Sequence, residues 1–311
     1  MAFRKASREI DISLRVKGRR PYRRSMCSTN GFHMKLIPLR RQLVLLAPST
    51  GSVPDSFSDP YFDQGRHTNM LAQAQKLRGR IYVEEGAIGQ TDLTPDGRHY
   101  MSSDEESWHL LTLDGNGEVC GCTRYLAHQN TTSFAGLGVR HSALAKCDQW
   151  GHRLRSAVEQ ELQLARRRDF AYVEMGGWAL REDVRCSTEA IRIALGAYAL
   201  ARNLGGAVSV TTATARHCSS SILRRIGGQP MAVGRTELPS YYDPRYKCEM
   251  TILRFESDRP NPRYEAWIEQ IREELLTAPV ICRRTRPAVW DNESIHARRS
   301  AGGACPELVS A

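Results

Sequence analysis

The sequence predicts an α/β protein with a mixed central sheet flanked by helices, and three observations carry that prediction. Residues 171–214 read strand, helix, strand, so two strands lie parallel and adjacent, joined by a right-handed crossover. Asp114-Gly-Asn-Gly117 separates two apolar runs, which is hairpin chemistry and adds antiparallel pairing. Apolar residues recur at helical spacing between the strands, so helices cover the sheet.

Each element has its own signal. Leu71, Ala74, Leu77, Ile81 and Val83 give a helix over about 70–85 one apolar face, and Gly86 suits its end. Trp108–Leu113 and Val119–Leu126 are the hairpin strands. Residues 146–168 read as a helix ending in Arg166-Arg-Arg168, cations that complement its C-terminal dipole. Ala171–Leu180 is a strand, Ser187–Asn203 a helix closed by Gly205-Gly206, and Ala207–Thr214 a strand of small and β-branched residues. Ser219–Arg225 is a short helix stopped by Gly227-Gly228. Lys247–Phe255 is a later strand, and Pro262–Leu276 a helix with Trp267, Ile271 and Leu275 on one face.

Charge divides the chain. Residues 1–60 hold 12 Lys/Arg against 4 Asp/Glu, and residues 283–311 hold 5 against 3. The whole chain carries +10, so the middle is neutral. Residues 1–69 read as a basic, disordered tail and linker, 70–280 as the folded domain, and 281–311 as a second disordered tail. A nucleic-acid-binding function is left only to the tails. Leu43-Val-Leu-Leu-Ala47 is too short to span a membrane and makes a weak signal peptide. The nine cysteines are scattered. Cys120 and Cys122 would share a strand face, but nothing completes a zinc site, so reduced thiols in a cytoplasmic protein are expected and no metal.

Two places carry chemistry. Between Leu180 and Ala190 a strand turns into a helix. Ser187 or Thr188 can cap it, leaving first-turn amides and the helix dipole to face an anion, with Arg185 nearby. No G-x-G-x-x-G or Walker loop is present. The second place is the strand itself. Alternation puts Tyr172, Glu174, Gly176 and Trp178 on one face, and the two glycines suit a bulge or a close ligand. Glu174 is a candidate base, or else a structural carboxylate paired with Arg124 or Arg80. His217-Cys218 offers a thiol nucleophile only if the turn brings the pair together; a buried inert thiol is the simpler reading.

Arg185-Cys186-Ser187-Thr188-Glu-Ala190 resembles the pyrophosphate loop, Arg-x-x-Gly-x-Gly/Ala, of the GNAT acyltransferases, with Thr188 in place of the first glycine. Leu77-Arg-Gly-Arg80-Ile-Tyr-Val-Glu84 resembles the first-helix signature of the branch holding the autoinducer synthases and long-chain N-acyl amino acid synthases. Asp104 ahead of the hairpin and Arg124 within it, Glu174-Met-Gly-Gly177-Trp-Ala-Leu180, and Ser221-Ile-Leu-Arg-Arg-Ile-Gly227 follow in that branch's order over about 200 residues. Gly177 stands where the autoinducer synthases carry arginine, and Leu223 where many acetyltransferases carry a tyrosine acid.

The resemblance implies a GNAT fold with two splayed parallel strands. It also implies an N-acyltransferase that moves an acyl group from a phosphopantetheine thioester to a small amine such as an amino acid. Trp178, Leu180, Arg185, Cys186, Ser187 and Thr188 would hold the pantetheine arm and phosphates. Arg80, Asp104 and Arg124 would line or brace the acceptor side, with Glu174 as base. Acyl carrier protein is the expected donor, docking on Arg224 and Arg225, with acyl-CoA the other source; no cofactor is permanently bound. A non-catalytic acyl-thioester-binding module of the same fold is the runner-up.

Overall fold

The computed structural model describes residues 41–283 except Cys186. In chain order the elements are β1 (Gln42–Leu46), β2 (Pro60–Phe62), α1 (Gln64–Glu84), β3 (Trp108–Leu113), β4 (Val119–His128), α2 (Gly151–Arg167), β5 (Ala171–Leu180), the single turn α3 (Glu182–Arg185), α4 (Thr188–Asn203), β6 (Ala207–Thr214) and α5 (Ser219–Arg225). Four short strands follow, β7 (Gln229–Pro230), β8 (Ala232–Val233), β9 (Thr236–Glu237) and β10 (Tyr241–Asp243), then β11 (Cys248–Glu256), α6 (Glu265–Thr277) and β12 (Val280–Cys282).

One mixed sheet runs β10-β11-β6-β5-β4-β3-β1-β12-β2, with β7 also pairing β11; β8 and β9 form a separate hairpin. β5 and β6 are parallel and joined through α4, as the sequence predicts. Apolar side chains of α4 and α6, among them Ile193, Leu195, Ile268 and Ile271, form one core on one face of the sheet. The other face is divided. Leu71, Ala74, Leu77 and Ile81 of α1 pack on β1, β3 and β4, whereas Leu154, Val158 and Leu162 of α2 pack over β5, β6 and β11. A gap between those two helices leaves part of this face without a helical cover.

The boundary expected at residue 70 moves. Leu43-Val-Leu-Leu-Ala47, read as part of a tail, is almost wholly β1, sits between β3 and β12, and is buried throughout. A strand buried on both faces shows no alternation, and its partners come from residues 108–113 and 280–282, so no local signal marks it. Asp63 caps α1 by accepting from the Arg66 amide, so the helix starts at Gln64, six residues before the expected start. The folded unit therefore includes 42–282; residues 1–40 and 284–311 lie outside the described residues. No described helix is long and apolar enough to cross a membrane, and no described group of side chains could hold a metal ion.

Two bulges overturn two alternation arguments. On β4, Leu113 pairs with Val119 and Thr112 with Gly121, so Cys120 is an extra residue. Cys120 consequently joins the α4 core and Cys122 the α1 core, not one shared face. On β5, Gly176 pairs with Arg124 and Ala179 with Cys122, leaving Gly177 and Trp178 between matched pairs. Gly177 takes a φ of 65°, which suits glycine. Beyond it the strand is rotated, so Trp178 packs on the α4 side while Glu174 points to the opposite face.

Candidate functional site

Pairing between β5 and β6 runs from Ala171 with Ala207 to Glu174 with Val210 and stops there. Both strands continue, to Leu180 and Thr214, but they no longer bond each other. The split opens a cavity of about 1090 Å³ that reaches both faces of the sheet. Its wall on the α4 side is apolar: Ala194, Ala197 and Ala201 supply a small-residue floor, flanked by Trp178, Leu223 and Phe255. Its wall on the other face is polar, with Tyr82, Ser103, Arg124, His128, Glu174 and Asp243.

Strand register builds the polar wall. Arg124, Leu126 and His128 of β4 pair with Gly176, Glu174 and Tyr172 of β5, so all six share the face between α1 and α2. Glu174 is heavily bonded. Its Oε1 accepts from the Val139 amide at 2.8 Å, and its Oε2 accepts from the Gly138 amide at 2.8 Å and from His128 Nε2 at 3.0 Å. Burial pushes its carboxyl up, but these three donors outweigh burial and hold it below the usual carboxylate range. Its partner is His128, not Arg124 or Arg80. Arg124 is buried, donates to Ser103 Oγ, and keeps a buried Nε with no partner. Burial, unrelieved by any carboxylate within ion-pair distance among the described residues, pulls its guanidinium below the ordinary arginine value.

Other expected acceptor-side residues sit elsewhere. Arg80 points to solvent beside Glu84, 4.0 Å away, and does not line the cavity. Arg78 is the buried arginine of α1. It grips both oxygens of Asp104, at 2.6 and 3.1 Å, and donates to the His99 carbonyl at 2.6 Å. Asp104 also accepts from Gln75 and the Met101 amide, so it braces α1 against the 99–104 loop and does not face the cavity. The space a side chain would need at Gly177 is taken, since a Cβ there would meet Arg78 Nη1 at 3.1 Å. The sequence did carry this signal. Arg78 falls on the stripe of Leu71, Ala74 and Ile81 at helical spacing, and Arg80 does not.

At the strand-to-helix turn, Ser187 is the cap of α4: its Oγ accepts from the Glu189 amide and donates to the Val184 carbonyl. Thr188 is exposed in the first turn. Arg185 donates to the Leu180 carbonyl at 3.1 Å and pairs with Glu85 at 3.2 Å, which ties this turn to the end of α1. Leu180 is back in register with Gly121 and does not line the cavity; Trp178, at the bulge, does. Cys186 lies outside the described residues. Arg224 and Arg225 are exposed at the end of α5, and neither side chain has a hydrogen bond or ion pair among the described residues. Arg168 pairs with Glu256 and Asp258, which removes it from any basic docking surface. Cys218 is exposed, not buried, in a left-handed conformation. Sequence reasoning did not single out His128 or the 138–139 amides. His128 was reachable by alternation, four residues after Arg124 on the same strand.

No protein-family model matches the chain, and no curated protein matches it. Solved structures do. A CoA-dependent acyl-homoserine lactone synthase, BjaI, with SAM and isopentyl-CoA, is similar at 14% identity, covering 79% of this chain and 95% of that one, with a TM-score of 0.48. TofI in a ternary complex with an inhibitor and MTA is similar at 15% identity over 76% and 98%, with a TM-score of 0.43. FeeM, an N-acyl amino acid synthase from uncultured soil microbes, is similar at 11% identity over 61% and 86%, with a TM-score of 0.40. Lactone synthases and an N-acyl amino acid synthase are the branch whose motifs the sequence resembles. At these identities the likeness assigns no residue a role.

Proposed function

We propose that this chain is an N-acyltransferase that moves an acyl group from a phosphopantetheine thioester to a small amine such as an amino acid. The observation that carries the reading is the split between β5 and β6, with an apolar wall on one face and a polar wall on the other. An acyl thioester has an apolar chain, a polar arm and a reactive carbonyl between them. A slot through a sheet gives the chain the alanine-lined side and leaves the carbonyl near the bulge at Gly177 and Trp178. A bulge frees backbone N–H groups, which suit a developing oxyanion. Arg124, which lines the cavity and has no carboxylate within ion-pair distance among the described residues, suits an anionic group on the acceptor. The turn at Arg185, Ser187 and Thr188 would receive the phosphates.

Acyl carrier protein is the proposed donor, because Arg224 and Arg225 present cations that are unpaired among the described residues beside the cavity-lining Leu223, and that partner is acidic. Acyl-CoA is the other source. The second reading, a binding module without turnover, draws on the fully bonded Glu174 and on Leu223, which offers no hydroxyl to the leaving thiol. Mass spectrometry of lipid extracts from cells overproducing the chain separates them. An N-acyl product is expected; a chain that binds acyl-pantetheine yet yields no product is the binding module. Arg224→Glu with Arg225→Glu should lower turnover with acyl carrier protein, more at low salt, and leave turnover of acyl-pantetheine unchanged.

A further inference from the structure

Glu174 has the residue type of a base but not its surroundings. All three groups that touch its carboxylate are donors. Gly138 lets the loop come this close, since a Cβ there would stand 3.3 Å from Oε1. An ionised carboxylate only accepts, so His128 Nε2 must carry its hydrogen. In the neutral imidazole the lone pair then sits on Nδ1. That atom has no protein partner among the described residues, and the His128 side chain lines the cavity. A carboxylate fixed by two backbone amides, an imidazole fixed by the carboxylate, and an open imidazole nitrogen in a cavity make an acid–base dyad.

We propose that His128 is the general base of acyl transfer and that Glu174 is its positioning residue. The inference rests on the N-acyltransferase reading. As the amine nitrogen attacks the thioester carbonyl, His128 Nδ1 takes one of its protons. The C–N bond forms, the tetrahedral intermediate collapses, and the C–S bond breaks with its electron pair on sulfur. The imidazolium returns the proton to that sulfur, so amide and thiol leave and the dyad is restored. Glu174 stabilises the transient imidazolium. The other titratable or charged side chains around this dyad include Tyr172 on β5, Arg124 on the same face of β4, Arg140 and His141 on the turn that supplies the two amides, and, around the same cavity, Tyr82 of α1, Tyr241 and Asp243 of β10, and Arg245 and Tyr246 after it.

The test uses decanoyl-pantetheine as donor and the amine found in the lipid extracts as acceptor. His128→Gln keeps an N–H for Glu174 but cannot accept the proton. Its kcat/KM should fall by about 10²–10⁴, the usual worth of a general base, with donor binding and melting unchanged. The acid limb of the pH–rate profile should disappear. Glu174→Gln keeps the shape and removes the charge, so its acid limb should move to lower pH. A structural carboxylate would not move it. In the resting protein, nitrogen NMR should find His128 protonated on Nε2 and bare on Nδ1. Turnover by His128→Gln within about threefold of the unaltered chain, with its acid limb intact, overturns the role of His128 alone. No N-acyl product from the unaltered chain overturns the acyltransferase reading, and the role with it.

Discussion

Two buried arginines on one face of the sheet have opposite surroundings. Arg78 is matched to Asp104 on both oxygens, and Asp104 is matched again by Gln75 and a backbone amide, with no cavity contact. Arg124 lies on β4, lines the cavity, and has one hydroxyl partner and no carboxylate in ion-pair distance among the described residues; the Nε of each arginine is buried without a partner. The first belongs to a closed half of the molecule, α1 on β1 and β3, where the buried guanidinium has a carboxylate on two of its nitrogens. The second belongs to an open half, where β5 and β6 part. Burial is similar; what differs is whether the protein supplies a carboxylate. A buried charge without a counter-charge costs stability, and the cavity beside Arg124 leaves room for an anion to supply one.

The comparison breaks first at the edge of the closed half. A chain trimmed to 70–280 loses β1, with Leu43 to Leu46 all buried, and should show no cooperative melt; one trimmed to 41–283 should melt cooperatively. A cooperative melt of 70–280 would mean the closed half does not depend on β1. Next comes the matched pair. Asp104→Asn strands the Arg78 charge and should lower unfolding free energy by about 3–5 kcal/mol, read as a denaturant midpoint shift at constant slope. Adding Arg78→Met should recover part of it. Turnover per folded molecule should hardly change; a lost rate would place Asp104 with the open half.

The smallest effect is a pH slope. His109 of β3 bonds the Asp104 carbonyl at 2.8 Å, and burial pushes its pKa down to about 4. A depressed histidine favours the folded state fully above its unfolded value, roughly 6.5, and that contribution is lost as pH falls toward the folded value. Stability should therefore decline between pH 6.5 and 4, by at most about 1.4 kcal/mol per pH unit for this group. His109→Gln keeps a donor for the carbonyl and should flatten the slope. An unchanged slope would assign it to His99, which burial also pushes down to about 4, and to His67, which burial lowers too.

What the sequence revealed follows from the range of the forces. Strands β5 and β6 and helix α5 stand at their expected bounds, because alternation, caps and glycine stops are local. Strands β1 and β12 were missed because each is defined by a distant partner. At the site, Arg124 and Glu174 were both singled out, and the pairing of β4 with β5 puts them on one face. Trp178 was given the wrong face, because one extra residue in a ladder reverses every later side chain. Arg80 was singled out and Arg78 was not, because a motif was weighed above the helical stripe on which Arg78 falls. The partner of Glu174 is His128, 46 residues earlier, and only the pairing of β4 with β5 brings them together.

The bulge at Gly177 has a consequence for how a reaction here would end. It turns Trp178 to one side of the sheet while Glu174 stays on the other. Tail and head of an acylated product would then emerge on opposite sides, with the new amide caught in the plane between them. Such a molecule is threaded like a needle through cloth. If it did not leave sideways, where the two strands stay apart, either its tail would be drawn through toward the amine's side, or its head toward the helix's. Longer tails would slow the first exit and bulkier heads would bar the second, so turnover would depend on withdrawal as much as on chemistry.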